Sequence, residues 1–454
     1  MSTEIPLFYN EIKKEFDQAM DNANGDGFVE KPKALLSLTK RRREFIKDCR
    51  SQNRNAIKTL REDSDELCKT YAIDSLKAKD LILTAWNYEE RLFNEGAIFN
   101  DKAFNFALER ASVFQNDKET IENTSLTLLN SLQELGKQDL KKMFSFLPLN
   151  PVEEMFENLN LLPNSARIDF ILTDEGPKVI EINSQWVDAI SALSAFQKEF
   201  GQPNEYKPID VFSEKVFGKR LAIIDVNQSR ALSKTSGASR ELESLARKIS
   251  RTRKPPVRCE VVKPDYASLK YLNQFNCYYL NCDPRYFQFE IPEWLVNIVE
   301  RVKVGEATIF PNWRPLLDKK YVLSLIKNPA VVPTYPLSRN FSFDNSSPAV
   351  IKGDGYSLNT VTTSFDPNFG EMLDYALTEP DAYVVQPYIE GMRADTWVFD
   401  TSKRKVKLIK NAYSKLNVWV LDYKVAGMLL SVSNSQLISD KDYNSLPIFR
   451  KENR

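Results

Sequence analysis

The stretch Arg167-Ile168-Asp169-Phe170-Ile171-Leu172, followed by Gly176-Pro177-Lys178-Val179-Ile180-Glu181-Ile182-Asn183, decides how the chain is read. Ile168, Phe170 and Leu172 alternate with their neighbours, Thr173 to Pro177 supply turn residues, and Val179 opens a second strand, so the spacing predicts an antiparallel hairpin. Residues two apart on a strand share a face. Glu181 and Asn183 therefore point together, away from Ile180 and Ile182, and Asp169 reaches them if the register sets it opposite. Two carboxylates and an amide carbonyl are hard oxygen ligands, suited to Mg²⁺ carried by a nucleotide rather than to structural zinc. Spacing alone leaves a solvated polar face as the simpler alternative, and the rest of the chain has to decide.

Working outward, the 454 residues suffice for two or three domains with a substantial core. The 62 basic and 62 acidic residues cancel, so net charge gives no argument for nucleic acid or an anionic membrane. The run Arg41-Arg42-Arg43 reads as the wet face of a helix. Histidine is absent, which excludes a histidine base, a histidine-containing triad and histidine-ligated metal. Cys49, Cys68, Cys259, Cys277 and Cys282 form no C-x-x-C pair, which suits a reducing compartment. No signal-like apolar region follows Met1, and no apolar run is long enough to span a membrane. A soluble cytoplasmic protein is the expectation.

Residues 1 to about 145 read as mainly helical, with stripes at Leu81, Ala85, Tyr88 and Leu92 and at Ile121, Leu128, Leu132 and Leu135. Asn22-Ala23-Asn24-Gly25-Asp26-Gly27 resembles the opening of a calcium loop, but Lys33 stands where a closing glutamate belongs, so a turn is the better reading. Pro148-Leu149-Asn150-Pro151 punctuates the end of this region. A helix is expected from Trp186 to Phe200, ended by Gly201-Gln202-Pro203-Asn204. From Lys219 the pattern changes to alternating elements: strands at Leu221–Ile224, Cys259–Val262 and Cys277–Leu280, and helices at Arg240–Ile249 and Trp294–Val302. That alternation predicts a small α/β domain on a parallel sheet. No G-x-G-x-x-G follows its first strand, which disfavours a dinucleotide site and a dehydrogenase. Asp225-Val226-Asn227-Gln228 lies at that strand's carboxyl end, where ligands can bind.

Later segments carry phosphate-seeking features. Either lysine of Asp318-Lys319-Lys320 could face a phosphate, or both could lie on a charged helix surface. Ala349-Val350-Ile351-Lys352 reads as a strand ending in a lysine before Gly353-Asp354-Gly355-Tyr356-Ser357, where glycines let backbone donors approach an anion. Tyr383-Val384-Val385-Gln386-Pro387 runs into a proline that cannot donate to a sheet ladder, which leaves nearby backbone groups for an adenine edge. Glu390 follows as an acceptor for a ribose hydroxyl. Taken singly, each segment is also an ordinary strand end.

Together, Arg167 and Asp169, Glu181 and Asn183, Lys319 and Lys320, Lys352 before its glycine turn, and the Gln386-to-Glu390 hinge resemble the circularly permuted ATP-grasp ligases, glutathionylspermidine synthetase first and eukaryotic-type glutathione synthetase more distantly. The likeness covers roughly residues 160 to 435, with the metal hairpin preceding the phosphate lysines. It implies a mixed fold, α+β with α/β: a permuted ATP-grasp core, an inserted parallel-sheet substrate domain and a helical N-terminal region. The boundaries expected are 1–145 for the helices, 146–215 for the first part of the core, 216–305 for the inserted domain and 306–454 for the second part.

What the resemblance implies for function is an ATP-dependent carboxylate–amine ligase acting through an acylphosphate. Asp169, Glu181 and Asn183 would ligate Mg²⁺ at the ATP phosphates. Lys352 and one of Lys319 or Lys320 would hold the phosphates, while Gln386, Tyr388 and Glu390 would surround the adenosine. Arg167 and Arg393 are candidates for the substrate carboxylate, since a guanidinium fork matches two oxygens. The region Asn411 to Ser431 is expected as a closing loop. The lid departs from the family pattern at Tyr356, Leu358 and Asn359, with Asp354 as a substitute acid. Expected partners are a small carboxylic acid and an amine, amino acids or a peptide among them, with no nucleic acid or membrane. The helices could support the core, cover the substrate entrance or form a homodimer interface. A phosphotransferase and a non-catalytic nucleotide-binding scaffold are the alternatives.

Overall fold

The computed structural model describes residues 55–450 apart from 96, 100–101, 104, 109–111, 148, 185–189, 201–205, 227–236, 252–257, 265–266, 281–286, 288, 339–347, 354–360, 437–442 and 446–447. Arg41 to Arg43, the Asn22–Gly27 turn, Cys49, Trp186, Gly201 to Asn204, Asn227 and Gln228, Cys282, and the lid residues Asp354, Tyr356, Leu358 and Asn359 lie outside the described residues. The chain divides into two compact units, Met1–Lys79 and Asp80–Arg454. The described part of the first is α1 (residues 55–71) and the opening of α2 (Ser75–Asn94), where Asp74 accepts the Lys77 N–H.

In the second unit, the rest of α2 leads to four short strands, β1 (Ile98–Phe99), β2 (Lys102–Ala103), β3 (Phe106–Ala107) and β4 (Ser112–Phe114). Helices α3 (Gln115–Gly136), α4 (Leu140–Met143) and α5 (Pro151–Glu157) follow. The short strands interrupt a region whose sequence reads as helical, because strands of two or three residues are too short to show a period. α5 begins on a capping box in which Asn150 and Glu153 satisfy each other's backbone N–H, with Pro151 at its first position.

The predicted hairpin forms as β5 (Ala166–Thr173) and β6 (Gly176–Asn183). Thr173 Oγ1 donates to the Gly176 carbonyl and accepts the Glu175 N–H, and Gly176 adopts φ +113°, a value that favours glycine. After α6 (Ile190–Phe200) and α7 (Pro208–Lys215), strands β7 (Leu221–Ile224), β8 (Cys259–Val262), β9 (Cys277–Leu280) and β10 (Thr308–Phe310) make a four-stranded sheet in the order β10-β9-β7-β8, parallel throughout. Helices α8 (Gly237–Arg251), α9 (Leu269–Leu272) and α10 (Glu293–Lys303) supply the crossovers, as the alternating pattern predicts.

Two 3₁₀ turns, Pro315–Asp318 and Lys320–Leu325, then lead to a four-stranded antiparallel sheet. It comprises β11 (Tyr335–Pro336), β12 (Ala349–Gly353), β13 (Val361–Thr363) and, after α11 (Phe369–Thr378), β14 (Tyr383–Pro387), in the order β11-β14-β12-β13. Ala349, Ile351, Tyr383 and Val385 on one face pack with Phe369 and Ala376 of α11. Strand alternation and the register give Val350, Lys352, Val361, Thr363 and Gln386 to the other face.

The largest sheet is assembled from distant parts of the chain: β15 (Ala394–Asp400), β16 (Lys405–Leu421), β17 (Lys424–Ser433) and β18 (Tyr443–Ser445) join β3, β5 and β6. A final strand, β19 (Ile448–Arg450), runs parallel to β4. Asn411 to Ser431, expected as a closing loop, is instead the paired length of β16 and β17 around a turn at Asp422 and Tyr423, because Leu416, Val418, Val420, Met428 and Leu430 all face the core. That core also takes Ile168, Phe170, Val179 and Ile182 from the hairpin and is covered by α3. The opposite face is covered at one end by α6 and α7, where Leu193 lies against Gly427 so closely that a Cβ there would stand 2.9 Å from its side chain. Among the described residues, no helix is long and apolar enough to cross a membrane.

Candidate functional site

The hairpin register sets Asp169 opposite Glu181 and Arg167 opposite Asn183, so all four lie on the face away from the core. Between Asp169 and Phe170 the register shifts: Phe170 pairs with Val179, and Ile180 is left as the extra residue of a β-bulge. Its carbonyl accepts from Lys352 Nζ at 2.9 Å and from Gln386 Nε2 at 3.3 Å. Gln386 Nε2 also donates to Thr334 Oγ1 at 2.8 Å. The bulge thus ties the hairpin to the polar face of the antiparallel sheet and brings Lys352 beside Glu181.

β16 runs along the other side of β5, with Asn417 opposite Asp169. Lys415, two residues earlier and on the same face, donates to Asp169 Oδ2 at 3.1 Å, while Arg167 Nε donates to Oδ1 at 3.3 Å. Lys320 Nζ stands 3.7 Å from Glu181 Oε1. Four basic side chains, Arg167, Lys320, Lys352 and Lys415, therefore surround the two carboxylates Asp169 and Glu181, leaving two positive charges in excess. Burial pushes the Glu181 carboxyl up, but Lys320, Lys352, Lys415 and Arg167 outweigh it and hold the group at about 2. Burial brings the Lys352 ammonium down to about 8 against the attraction of Glu181 and Asp169.

Of these groups, Glu181, Lys352 and Lys415 line a cavity of about 150 Å³. Ile171, Ile180, Val350, Val361 and Ile389 give it apolar walls, and Gln386, Pro387 and Tyr388 form its rim. Such a cavity, apolar along one part and cationic at the other, has the chemistry to take a flat aromatic group joined to a polyanion.

The two adjacent lysines part company. Lys319 is buried and paired with Glu153 Oε1 at 2.8 Å, while Glu153 Oε2 serves the α5 capping box. One helical turn on, Glu157 receives Arg314 Nε at 2.8 Å and the Leu316 N–H, and Arg314 also donates to the Gly136 carbonyl. Asp318 accepts both the N–H and the hydroxyl of Ser184. These contacts clamp the 3₁₀ segment to α5 and to the end of β6, so that Lys320, and not Lys319, stands beside Glu181. Arg393 joins a different cluster from Arg167: it donates to Glu390 Oε1 at 2.7 Å and its guanidinium lies 4.2 Å over the Tyr413 ring. Beside Pro387, where backbone groups are expected to be free for an adenine edge, the Tyr388 N–H donates to the Pro348 carbonyl.

Lys415, Asn417, Thr334 and the Ile180 carbonyl are site groups that sequence reasoning missed. Lys415 and Asn417 alternate with Leu416 and Val418, which is the signal of a strand face within the stretch expected as a closing loop. Asn417 Nδ2 donates to Ser431 Oγ, which donates to Asn444 Oδ1, a buried polar chain beneath the site. Asn183 Nδ2 and Asn417 Oδ1 are buried without a partner in the protein.

The residues do not fit a divalent metal. Both Asp169 oxygens already face a cation, and Glu181 faces Lys320. Among the described residues, no group of three or more His, Cys, Asp or Glu side chains is placed to hold an ion. A dication there would add to a cluster that already carries two positive charges in excess.

The molecule is a mixed α/β protein with several sheets. A glutathione synthetase-like effector from Globodera pallida, solved in its apo form, superposes with a TM-score of 0.54 at 11% identity, covering 82% of this chain and 97% of that one. At that identity the likeness is one of fold. A protein from Methylobacillus flagellatus KT, provisionally assigned as a gamma-glutamylcysteine synthetase, aligns at 13% identity over 69% of this chain and 84% of its own, with a TM-score of 0.34. No family model and no curated protein sequence matches the chain.

Proposed function

We propose that this chain is an ATP-dependent carboxylate–amine ligase whose nucleotide site is the cavity between the β5–β6 hairpin and the antiparallel sheet. One observation carries the reading: Lys352 and Lys415 line a largely apolar cavity that also takes in Gln386 to Ile389, and Arg167 and Lys320 gather with them around Asp169 and Glu181. In this reading the adenine lies among Ile171, Val350 and Ile389 and the phosphates extend toward the lysines. The hairpin precedes Lys320 and Lys352 in the chain, the order of a permuted core, and the parallel sheet is the inserted domain that helps hold the acceptor.

A carboxylate oxygen of the acid attacks the γ-phosphorus, the bond from that phosphorus to the bridging oxygen breaks, and ADP leaves with the electron pair. Lys320, Lys352 and Lys415 neutralise charge on the transferring oxygens. The amine nitrogen then attacks the acyl carbon, phosphate departs, and the nitrogen gives up its proton. Arg167 is the candidate to hold the acylphosphate. The fold likeness supports an amino acid or short peptide as the acid.

A second reading, nucleotide binding without turnover, is favoured by the engagement of both Asp169 and Glu181 with basic side chains. Release of ADP and phosphate from ATP, measured across acids, peptides and amines, separates the readings. The ligase requires both an acid and an amine and is lost in Lys352→Met. A phosphotransferase yields a stable phosphorylated product with no amine. Binding with no release across the panel supports the second reading.

A further inference from the structure

The hairpin carboxylates occupy the place where a metal was expected, yet side-chain cations meet them from three directions. Lys415 lies at Asp169 Oδ2, Arg167 at Oδ1 and Lys320 at Glu181. Asp169 is 1% exposed and the Lys415 side chain 12%. Lys415 also projects from the middle of a strand paired on both sides, to β5 and to β17, so its backbone is fixed beside Asp169. Four cationic side chains already meet these two carboxylates, so a divalent ion would enter a cluster that is positive before it arrives.

We propose that Lys415 takes the place of the divalent cation, so that this site binds a nucleoside polyphosphate directly, without a metal. The inference rests on the reading of the cavity as a polyphosphate site. Lys415 is held against Asp169 by the protein instead of arriving with the nucleotide. Its ammonium and those of Lys320 and Lys352 supply the charge and donors that a bound metal would otherwise bring to the phosphate oxygens. Asp169 then serves as a positioning residue, fixing Lys415 and Arg167, and Glu181 does the same for Lys320.

Calorimetric titration of the full chain with ATP, in EDTA and in excess MgCl₂, tests this. The expected result is binding in EDTA that Mg²⁺ leaves unchanged or weakens. Lys415→Met should weaken the EDTA affinity about tenfold or more, a loss set by one charge-assisted contact, and Mg²⁺ should then restore part of it at the exposed Asp169. Lys415→Arg should retain metal-free binding, which separates loss of charge from loss of fold. Glu181→Gln, which frees Lys320 but also removes a negative charge beside the phosphates, should still bind in EDTA and gain nothing from Mg²⁺. Binding that appears only with Mg²⁺ and disappears in Glu181→Gln overturns the proposal while leaving the nucleotide site intact. Heat in neither condition, with inorganic tripolyphosphate also silent, overturns both the proposal and the nucleotide reading.

Discussion

Lys352 Nζ donates to the carbonyl of Ile180 at 2.9 Å, and that carbonyl belongs to the bulged residue of the hairpin. A single extra residue in β6 therefore fixes where the ammonium from the other sheet sits. Loss of that ammonium in Lys352→Met should weaken nucleotide binding about tenfold to a hundredfold, the range for a charge-assisted hydrogen bond, with little change in the urea midpoint. Isothermal titration and urea unfolding of the same variant check the two halves.

The same lysine gives the site a pH signature. Its folded value of about 8 lies below the ordinary lysine range near 10.5, chiefly through burial. Below about 8 the ammonium is charged and an anion is held; as pH rises through 8 the charge is lost and affinity falls. A bound polyphosphate pulls the proton back, so binding between about pH 8 and 9.5 should take up protons. Titrations in buffers of different ionisation enthalpy measure that uptake, and Lys352→Arg should abolish it. For stability the sign is opposite: the unfolded lysine keeps its proton up to about 10.5, so this group's penalty on the fold is present below 8 and fades toward 10.5.

Lys319 and Lys320 should behave as strangers despite their adjacency. Lys319→Met strands Glu153 in the interior and should cost about 3–5 kcal/mol, the range for breaking a buried pair. Lys320→Met, at a side chain 18% exposed beside Glu181, should leave stability nearly unchanged and weaken nucleotide binding. Urea midpoints and ATP titrations of the two variants should therefore show crossed effects.

That contrast marks where the sequence stops being legible. Alternation of Ile168, Phe170 and Leu172 announced the hairpin, and the strand–helix rhythm from Leu221 to Val302 announced the parallel sheet, because both patterns are local. Which lysine of a pair stands beside Glu181 depends on Glu153 and Glu157, more than 150 residues away, and on their burial in α5. The carboxylates Asp169 and Glu181 are legible in the sequence, but Lys415 beside them is not, since its side of β16 is defined only once that strand pairs with β5. The bulge at Ile180 leaves no mark in composition, since it arises from the register of two strands rather than from a turn residue.

The packing of α6 on the large sheet depends on Gly427 having no side chain, since a Cβ would stand 2.9 Å from Leu193 Cδ1 and Cδ2. Gly427→Ala should destabilise by about 1–3 kcal/mol, the range for overpacking a filled core. Leu193→Ala opens a cavity of its own, but it removes the atoms that the new methyl meets. The double variant should therefore be more stable than the sum of the two single costs, and a urea double-mutant cycle reads that coupling.

Glu181 supplies the acid limb. Its carboxyl is held at about 2, where burial, the largest influence, works against it, and Lys320, Lys352, Lys415 and Arg167 prevail. An unfolded glutamate titrates near 4.5. The stabilisation from Glu181 is therefore complete above about 4.5 and lost as pH falls toward 2. Its side chain keeps 24% exposure, so solvent screening reduces the size of the effect without changing its sign. Because other carboxylates also titrate in this window, the informative quantity is the difference in urea midpoint between the protein and Glu181→Gln. That difference should be constant from pH 7 to about 5 and shrink toward pH 2, and a difference that stayed flat throughout would place Glu181 outside the lysine field.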